Sequence, residues 1–156
     1  IQGSDGDGLL SSGAVYVFVR GGSGWAQEAY VKASNSGEFD EFGYAVALSQ
    51  DGNRLAVTAR GEDSPARGLD VAQDGENAQE TGAAYVFQRS AGQWRQTTRV
   101  KAPNADAGDR FGRALALSAD GATLAVSTTS EDSLATGVGG DQADNNAQNS
   151  GAVYLY

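Results

Sequence analysis

The chain has 156 residues, enough for one domain with a substantial core, and 40% of them are hydrophobic, which argues against wholesale disorder. It contains neither cysteine nor histidine, so disulfides, thiolate or histidine zinc sites, and Ser-His-Asp or Cys-His catalysis are excluded. A formal net charge of −9 disfavours nucleic acid and anionic membrane as partners and is compatible with hard cations such as calcium, which take oxygen ligands.

In chain order, the first recognisable strand is "GAVYVF" at Gly13, which recurs as "GAAYVF" at Gly82 and "GAVYLY" at Gly151. The interval is 69 residues each time. Trp25 matches Trp94 at the same interval, the "VKA" at Val31 matches that at Val100, and the "EDS" at Glu62 matches that at Glu131. Between Phe42 and Val57, eleven of sixteen positions are identical to Phe111–Val126. A repeat this regular is the signature of stacked structural units.

Each unit reads as four short strands. Phe42–Ser49 places Tyr44, Val46 and Leu48 on one face and Gly43, Ala45 and Ala47 on the other, so both faces are apolar and need covering. Asp-Gly turns at Asp51-Gly52 and Asp120-Gly121 lead to a second strand, "RLAVTA" from Arg54 in the first full unit. A long polar loop precedes the third strand at Gly82, and a short loop over Ser90–Gln93 leads to the fourth, about Trp94–Ala102. Arg99 and Lys101, with Lys32 in the preceding unit, are expected to be solvent-facing charges of an edge strand. No stretch has helical periodicity.

Sheets that are apolar on both faces must stack, and burying one valine or phenylalanine contributes about 1.5–3 kcal/mol to that stacking. Four-stranded antiparallel sheets stacked in this way make an all-β propeller, with a sandwich or β-solenoid as the alternative. The residues "FGYAVALSQDGNRLAVTA" followed by "GAAYVF" resemble the FG-GAP repeat, the blade unit of integrin α-subunit propellers and of many bacterial surface and secreted proteins. The resemblance implies that Phe42–Ser49 is the innermost strand of a blade and the Trp94 strand the outermost. Residues 1–41 would then hold a loop and the last two strands of one blade, 42–102 a full blade, and 111–156 three strands of the next. At a 69-residue period the chain carries about 2.3 repeats, whereas propellers close with at least about four blades. Either the unit belongs to a longer chain or several copies associate, and a neighbour's strand would complete the last blade.

The resemblance also implies calcium in a loop between the first two strands, but here that loop has shrunk to Gln50–Asn53 and Ala119–Ala122, too few oxygens for a calcium ion. The acids stand instead in the loop between the second and third strands. One reading has a hard cation such as calcium held by Glu62, Asp63, Asp70 and Asp74, and by Glu131, Asp132, Asp141 and Asp144 in the next unit, with Asp5 and Asp7 serving the truncated copy. The other has these side chains satisfying backbone groups in local turns. Glu62 with Glu131 and Asp63 with Asp132 recur in register, while the later acids shift position. Asp40 and Asp109 precede the Phe-Gly pairs, where they either bond into the turn or reach the central face of the propeller. Trp25 and Trp94 either pack against their own blades or stack on sugars.

No acid pair stands out as the facing carboxylates a glycosidase needs. The expected function is therefore a non-enzymatic extracellular scaffold or adhesion module that presents polar loops to a protein or glycan partner. The alternatives are a self-assembling filament or ring and, more remotely, a carbohydrate-active enzyme.

Overall fold

A computed structural model describes residues 8–71, 75 and 77–156. Nine strands are present among them: β1 (Val15–Gly21), β2 (Gly24–Val31), β3 (Val46–Leu48), β4 (Arg54–Ala59), β5 (Ala83–Ser90), β6 (Gln93–Val100), β7 (Ala114–Leu117), β8 (Leu124–Thr128) and β9 (Ala152–Leu155). They form three antiparallel sheets in simple meander order: β1-β2, β3-β4-β5-β6 and β7-β8-β9. A register shift between Val17 and Phe18 in β1 recurs between Val86 and Phe87 in β5, so the 69-residue period reaches down to the irregularities of the strands.

The middle sheet is covered on both sides, as its sequence requires. Leu55, Val57, Tyr85 and Phe87 pack with Val15, Ala29 and Val31 of the first sheet. From the opposite face, Ala56, Ala84 and Val100 pack with Phe111, Leu124 and Val126 of the third. Every residue of β4 from Leu55 to Ala59 is buried.

The Phe-Gly and Gly-Ala motifs meet at the joints between sheets. Gly82 has φ +77° and lies against the backbone of Phe111, so that a Cβ there would stand 2.2 Å from the Phe111 carbonyl oxygen. Gly13 and Phe42 repeat this contact one sheet earlier, with a bridge between the two residues. Each phenylalanine then drops between two aromatic rings: Phe42 edge-on to Tyr85 and Phe87 (centroids 5.5 and 6.0 Å), Phe111 tilted against Tyr154 (5.8 Å) and edge-on to Tyr156 (6.2 Å).

The innermost strand departs from the expected Phe42–Ser49. β3 is three residues long, because Gly43 and Tyr44 donate instead to the Thr58 carbonyl and Phe42 to that of Ser12. Val46 and Leu48 are not covered; each is 54% exposed, since among the described residues the first sheet offers two strands and none opposite β3. At the outer side the expectation of solvent-facing charges is overturned. Lys101 is fully buried, Arg99 is 3% exposed and Lys32 8%. Their side chains turn into polar cradles built by the long loops rather than outward.

Candidate functional site

The loop between β4 and β5 and its counterpart between β8 and β9 hold the acidic residues singled out by sequence. Each loop is closed at its base in the same way. Asp63 Oδ1 accepts the Glu80 amide (2.7 Å), its carbonyl accepts the Ala78 amide (2.9 Å), and Gly82 donates to the Glu62 carbonyl (2.9 Å). In the second copy Asp132 Oδ1 accepts from Asn149 (2.6 Å), its carbonyl from Ala147 (2.7 Å), and Gly151 donates to the Glu131 carbonyl (2.9 Å).

Glu62 is buried in an ionic cradle. The Lys101 ammonium donates to Glu62 Oε2, to the Ser64 carbonyl (2.6 Å) and to Thr81 Oγ1 (2.6 Å), so its three N–H groups meet three acceptors. Arg99 approaches Glu62 Oε1 at 3.4 Å and donates to the Val71 carbonyl at 2.6 Å. Asn35 donates to Glu62 Oε1 (2.8 Å) and is itself positioned by the Tyr85 hydroxyl (2.8 Å). Burial pulls the Lys101 ammonium below the ordinary lysine range, opposed by the Glu62 charge, and burial pushes the Tyr85 phenol well up.

The loop also runs along β6. Leu69 bridges Val100, Asp70 donates its amide to the Arg99 carbonyl (3.0 Å) and accepts the Arg99 amide on Oδ1 (2.9 Å), and Lys101 donates to the Gly68 carbonyl (3.0 Å). β6 is thereby held between β5 and a loop segment.

The remaining acids serve local backbone. Asp144 Oδ1 accepts from the amides of Leu134 (3.2 Å) and Asn146 (3.1 Å), and Asp141 Oδ1 from Ala143 (2.9 Å). Asp5, Asp7 and Asp74 lie outside the described residues. Among the described residues the structure brings no three acidic side chains together around a point where a metal ion would sit. Asp51 accepts from Ser49 Oγ (2.5 Å) and the Asn53 amide (3.0 Å), and these bonds, the serine's foremost, hold its carboxyl down at about 2.

Asp40 and Asp109 fold the linkers that enter each inner strand. Asp40 Oδ2 accepts the Gly37 amide (2.6 Å) and Asp109 Oδ2 the Asp106 amide (2.8 Å). Burial, with the negative charges of Asp106, Glu131 and Asp132 nearby, pushes Asp109 up to about 6. The two tryptophans differ. Trp94 is 8% exposed and donates to Glu28 Oε2 (3.1 Å), which Arg89 also clamps (2.7 Å), beside a groove of about 490 Å³ between β2 and β6; Trp25 is 71% exposed.

Sequence reasoning missed the Glu62–Lys101–Arg99 cluster. The signal was present in two motifs of opposite charge, "EDS" and "VKA", that recur with one period. Their pairing depends on a loop that folds back by 39 residues, which no local pattern reveals.

Antiparallel sheets of two, four and three strands stacked face to face among the described residues, with inner strands β3 and β7 in contact, are the blades of a β-propeller, here an incomplete one. A family model described as FG-GAP repeat matches residues 25–87 and 94–156, and the chain belongs to that family. Each matched stretch begins in the outer strand of one sheet and ends in the third strand of the next, so the sequence unit straddles the joint where Phe-Gly meets Gly-Ala. FG-GAP repeats are generally adhesion or ligand-binding modules and typically non-enzymatic. No curated protein matches the chain.

Proposed function

We propose that the chain is a non-catalytic, extracellular scaffold or adhesion module that presents its long polar loops to a protein or glycan partner. The observation that carries this reading is the way the first loop is fastened. Its base is closed by Asp63, its middle lies along β6, and its flanks are tied to the following linker by Arg67–Asp106 (2.7 Å) and Arg110–Glu80 (2.6 Å). A loop so held loses little conformational entropy when it meets a partner. Its apolar residues Leu69 and Val71, like Leu134 and Val138 of the second loop, are exposed. The labelled chain, applied to a glycan array and to a panel of purified extracellular-matrix proteins, is expected to bind one ligand class, and Leu69→Ser with Val138→Ser to weaken that binding at least tenfold. Silence in both panels would overturn the reading.

A second reading, self-assembly by blade completion between chains, has its own support. Tyr16, Phe18 and Trp25 are 50–71% exposed in the first sheet, although their counterparts Tyr85, Phe87 and Trp94 are buried in the second. On the last sheet Val153 and Leu155 are 67% and 72% exposed. Apolar faces of this kind at both ends suit head-to-tail stacking.

A further inference from the structure

Glu62 holds an amine on one oxygen and an amide on the other. Its Oε2 accepts from the Lys101 ammonium, and its Oε1 accepts from the Asn35 carboxamide nitrogen at 2.8 Å. On the other end of that carboxamide, the Tyr85 hydroxyl donates to Asn35 Oδ1 at 2.8 Å. The groups come from separate parts of the chain. Asn35 stands in the linker that leaves β2, Glu62 near the start of the β4–β5 loop, and Lys101 directly after β6. Glu62, Lys101 and Tyr85 are buried and Asn35 is half-buried. The setting of the amide recurs at Asn104, where Glu131 Oε1 (2.9 Å) and the Tyr154 hydroxyl (2.6 Å) take the places of Glu62 and Tyr85.

A lysine amine, a carboxylate and a primary amide in contact are the components of an acyl transfer. Lysine becomes a nucleophile when its amine is neutral, and burial favours that form because an ammonium is poorly solvated inside a protein. Burial is the main influence that draws Lys101 below the ordinary range, opposed by the Glu62 charge and aided by the Arg99 guanidinium. Burial also pushes the Tyr85 phenol well up, so it stays protonated and keeps its O–H on the carbonyl oxygen of Asn35. A donor at that oxygen stabilises the negative charge that forms there when the carbonyl is attacked. A carboxylate that touches both nitrogens can carry protons from one to the other.

We infer that Lys101 and Asn35 join in an intramolecular amide bond, formed by the folded chain on itself with Glu62 as the proton carrier. The ammonium gives one proton to Glu62, and the neutral amine swings from Oε2 to attack Asn35 Cγ. As the Nζ–Cγ bond forms, the carbonyl π pair moves onto Oδ1, where the Tyr85 O–H meets it. That pair then returns, the Cγ–Nδ2 bond breaks, and Nδ2 departs as ammonia with the proton that Glu62 delivers. The second proton shed by Nζ passes through the same carboxylate to the ammonia, which leaves as ammonium. Glu62 ends as the carboxylate it was, and nothing is oxidised or reduced. The charged pair described above is the state before the bond. Holding both partners on one carboxylate replaces a bimolecular encounter with a local one. The bond ties the linker of the first sheet to the outer strand of the second, a covalent joint between blades in a chain that has no cysteine. This inference rests on neither the adhesion reading nor the assembly reading.

The test is the intact mass of the folded 156-residue chain after days at mildly alkaline pH, followed by protease digestion and fragment spectra. A mass one ammonia below that of the sequence is expected, with a branched peptide that joins the Lys101 and Asn35 side chains. Asn35→Ala removes the electrophile and should keep its full mass. Glu62→Gln should slow the loss about a hundredfold or more. Should Glu62→Gln fail to fold, Tyr85→Phe serves instead: it keeps the ring, lacks the donor, and should slow the loss about a hundredfold. A native chain of full mass would overturn the inference. So would a loss of ammonia that the spectra place at Asn35 alone as a cyclic imide, or an undiminished rate in a folded Glu62→Gln or Tyr85→Phe chain.

Discussion

Lys101 and Glu62 show how a charged pair is sustained in a small β-protein: every N–H of the ammonium has an acceptor, and the carboxylate has further donors from Asn35 and Arg99. Removing Glu62 takes the counter-ion from the buried ammonium, and removing Lys101 leaves Glu62 only Asn35 and the longer contact to Arg99, each at a cost of about 3–5 kcal/mol. Lys101→Met is therefore expected to lower the denaturant midpoint sharply. Lys101→Met combined with Glu62→Gln is expected to cost less than the sum of the single changes, which a double-mutant cycle by urea unfolding measures. Asp109 carries a second residue-scale prediction. Its folded value of about 6 lies above the ordinary 3.8, so its stabilising contribution is complete below pH 3.8 and is lost as pH rises through 6. Relative to Asp109→Asn, the native chain should lose roughly 1–3 kcal/mol between pH 4 and 6.5. Melting curves of the two proteins across that range provide the check; parallel pH profiles would contradict the assignment.

At the scale of elements, the joints between sheets are backbone against backbone. An alanine at Gly82 would place its Cβ 2.2 Å from the Phe111 carbonyl oxygen and hold a left-handed φ as well. Gly82→Ala is expected to destabilise by roughly 3 kcal/mol or more and to loosen the third sheet from the second. Amide exchange of β7 and β8 would show this as lost protection. The long loops lead to a different expectation. Asp63, Asp132, Asp141 and Asp144 already accept backbone amides, so millimolar calcium after chelation should leave the melting temperature unchanged within about a degree. A rise of several degrees, removed by Asp144→Asn, would assign the loops to a metal.

For the whole molecule the decisive feature is unequal covering. The middle sheet is buried on both faces, the first exposes its aromatic face at Tyr16, Phe18 and Trp25, and the third exposes Val153 and Leu155. On the assembly reading, light-scattering mass should rise with concentration above the 16.0 kDa of one chain, and Trp25→Ser with Phe18→Ser should return it to that value. A constant mass of one chain at every concentration would remove assembly and leave the adhesion reading standing.

The repeat, the four-strand unit and the propeller class were legible in the residues alone, because period-2 alternation and a constant 69-residue interval are local properties that survive without coordinates. Turn chemistry was equally plain at Asp51 and Asp120. The fate of the charges was not. Lys101 at the end of an outer strand has the composition of an exposed edge, and only the return of the β4–β5 loop across β6 buries it against Glu62. The exposure of Val46 and Leu48 likewise follows from what lies opposite β3, not from the strand's own pattern. Periodicity determines which faces of a strand are apolar; which of those faces find a partner, and which buried carboxylate finds a cation, is decided by contacts between residues dozens of positions apart.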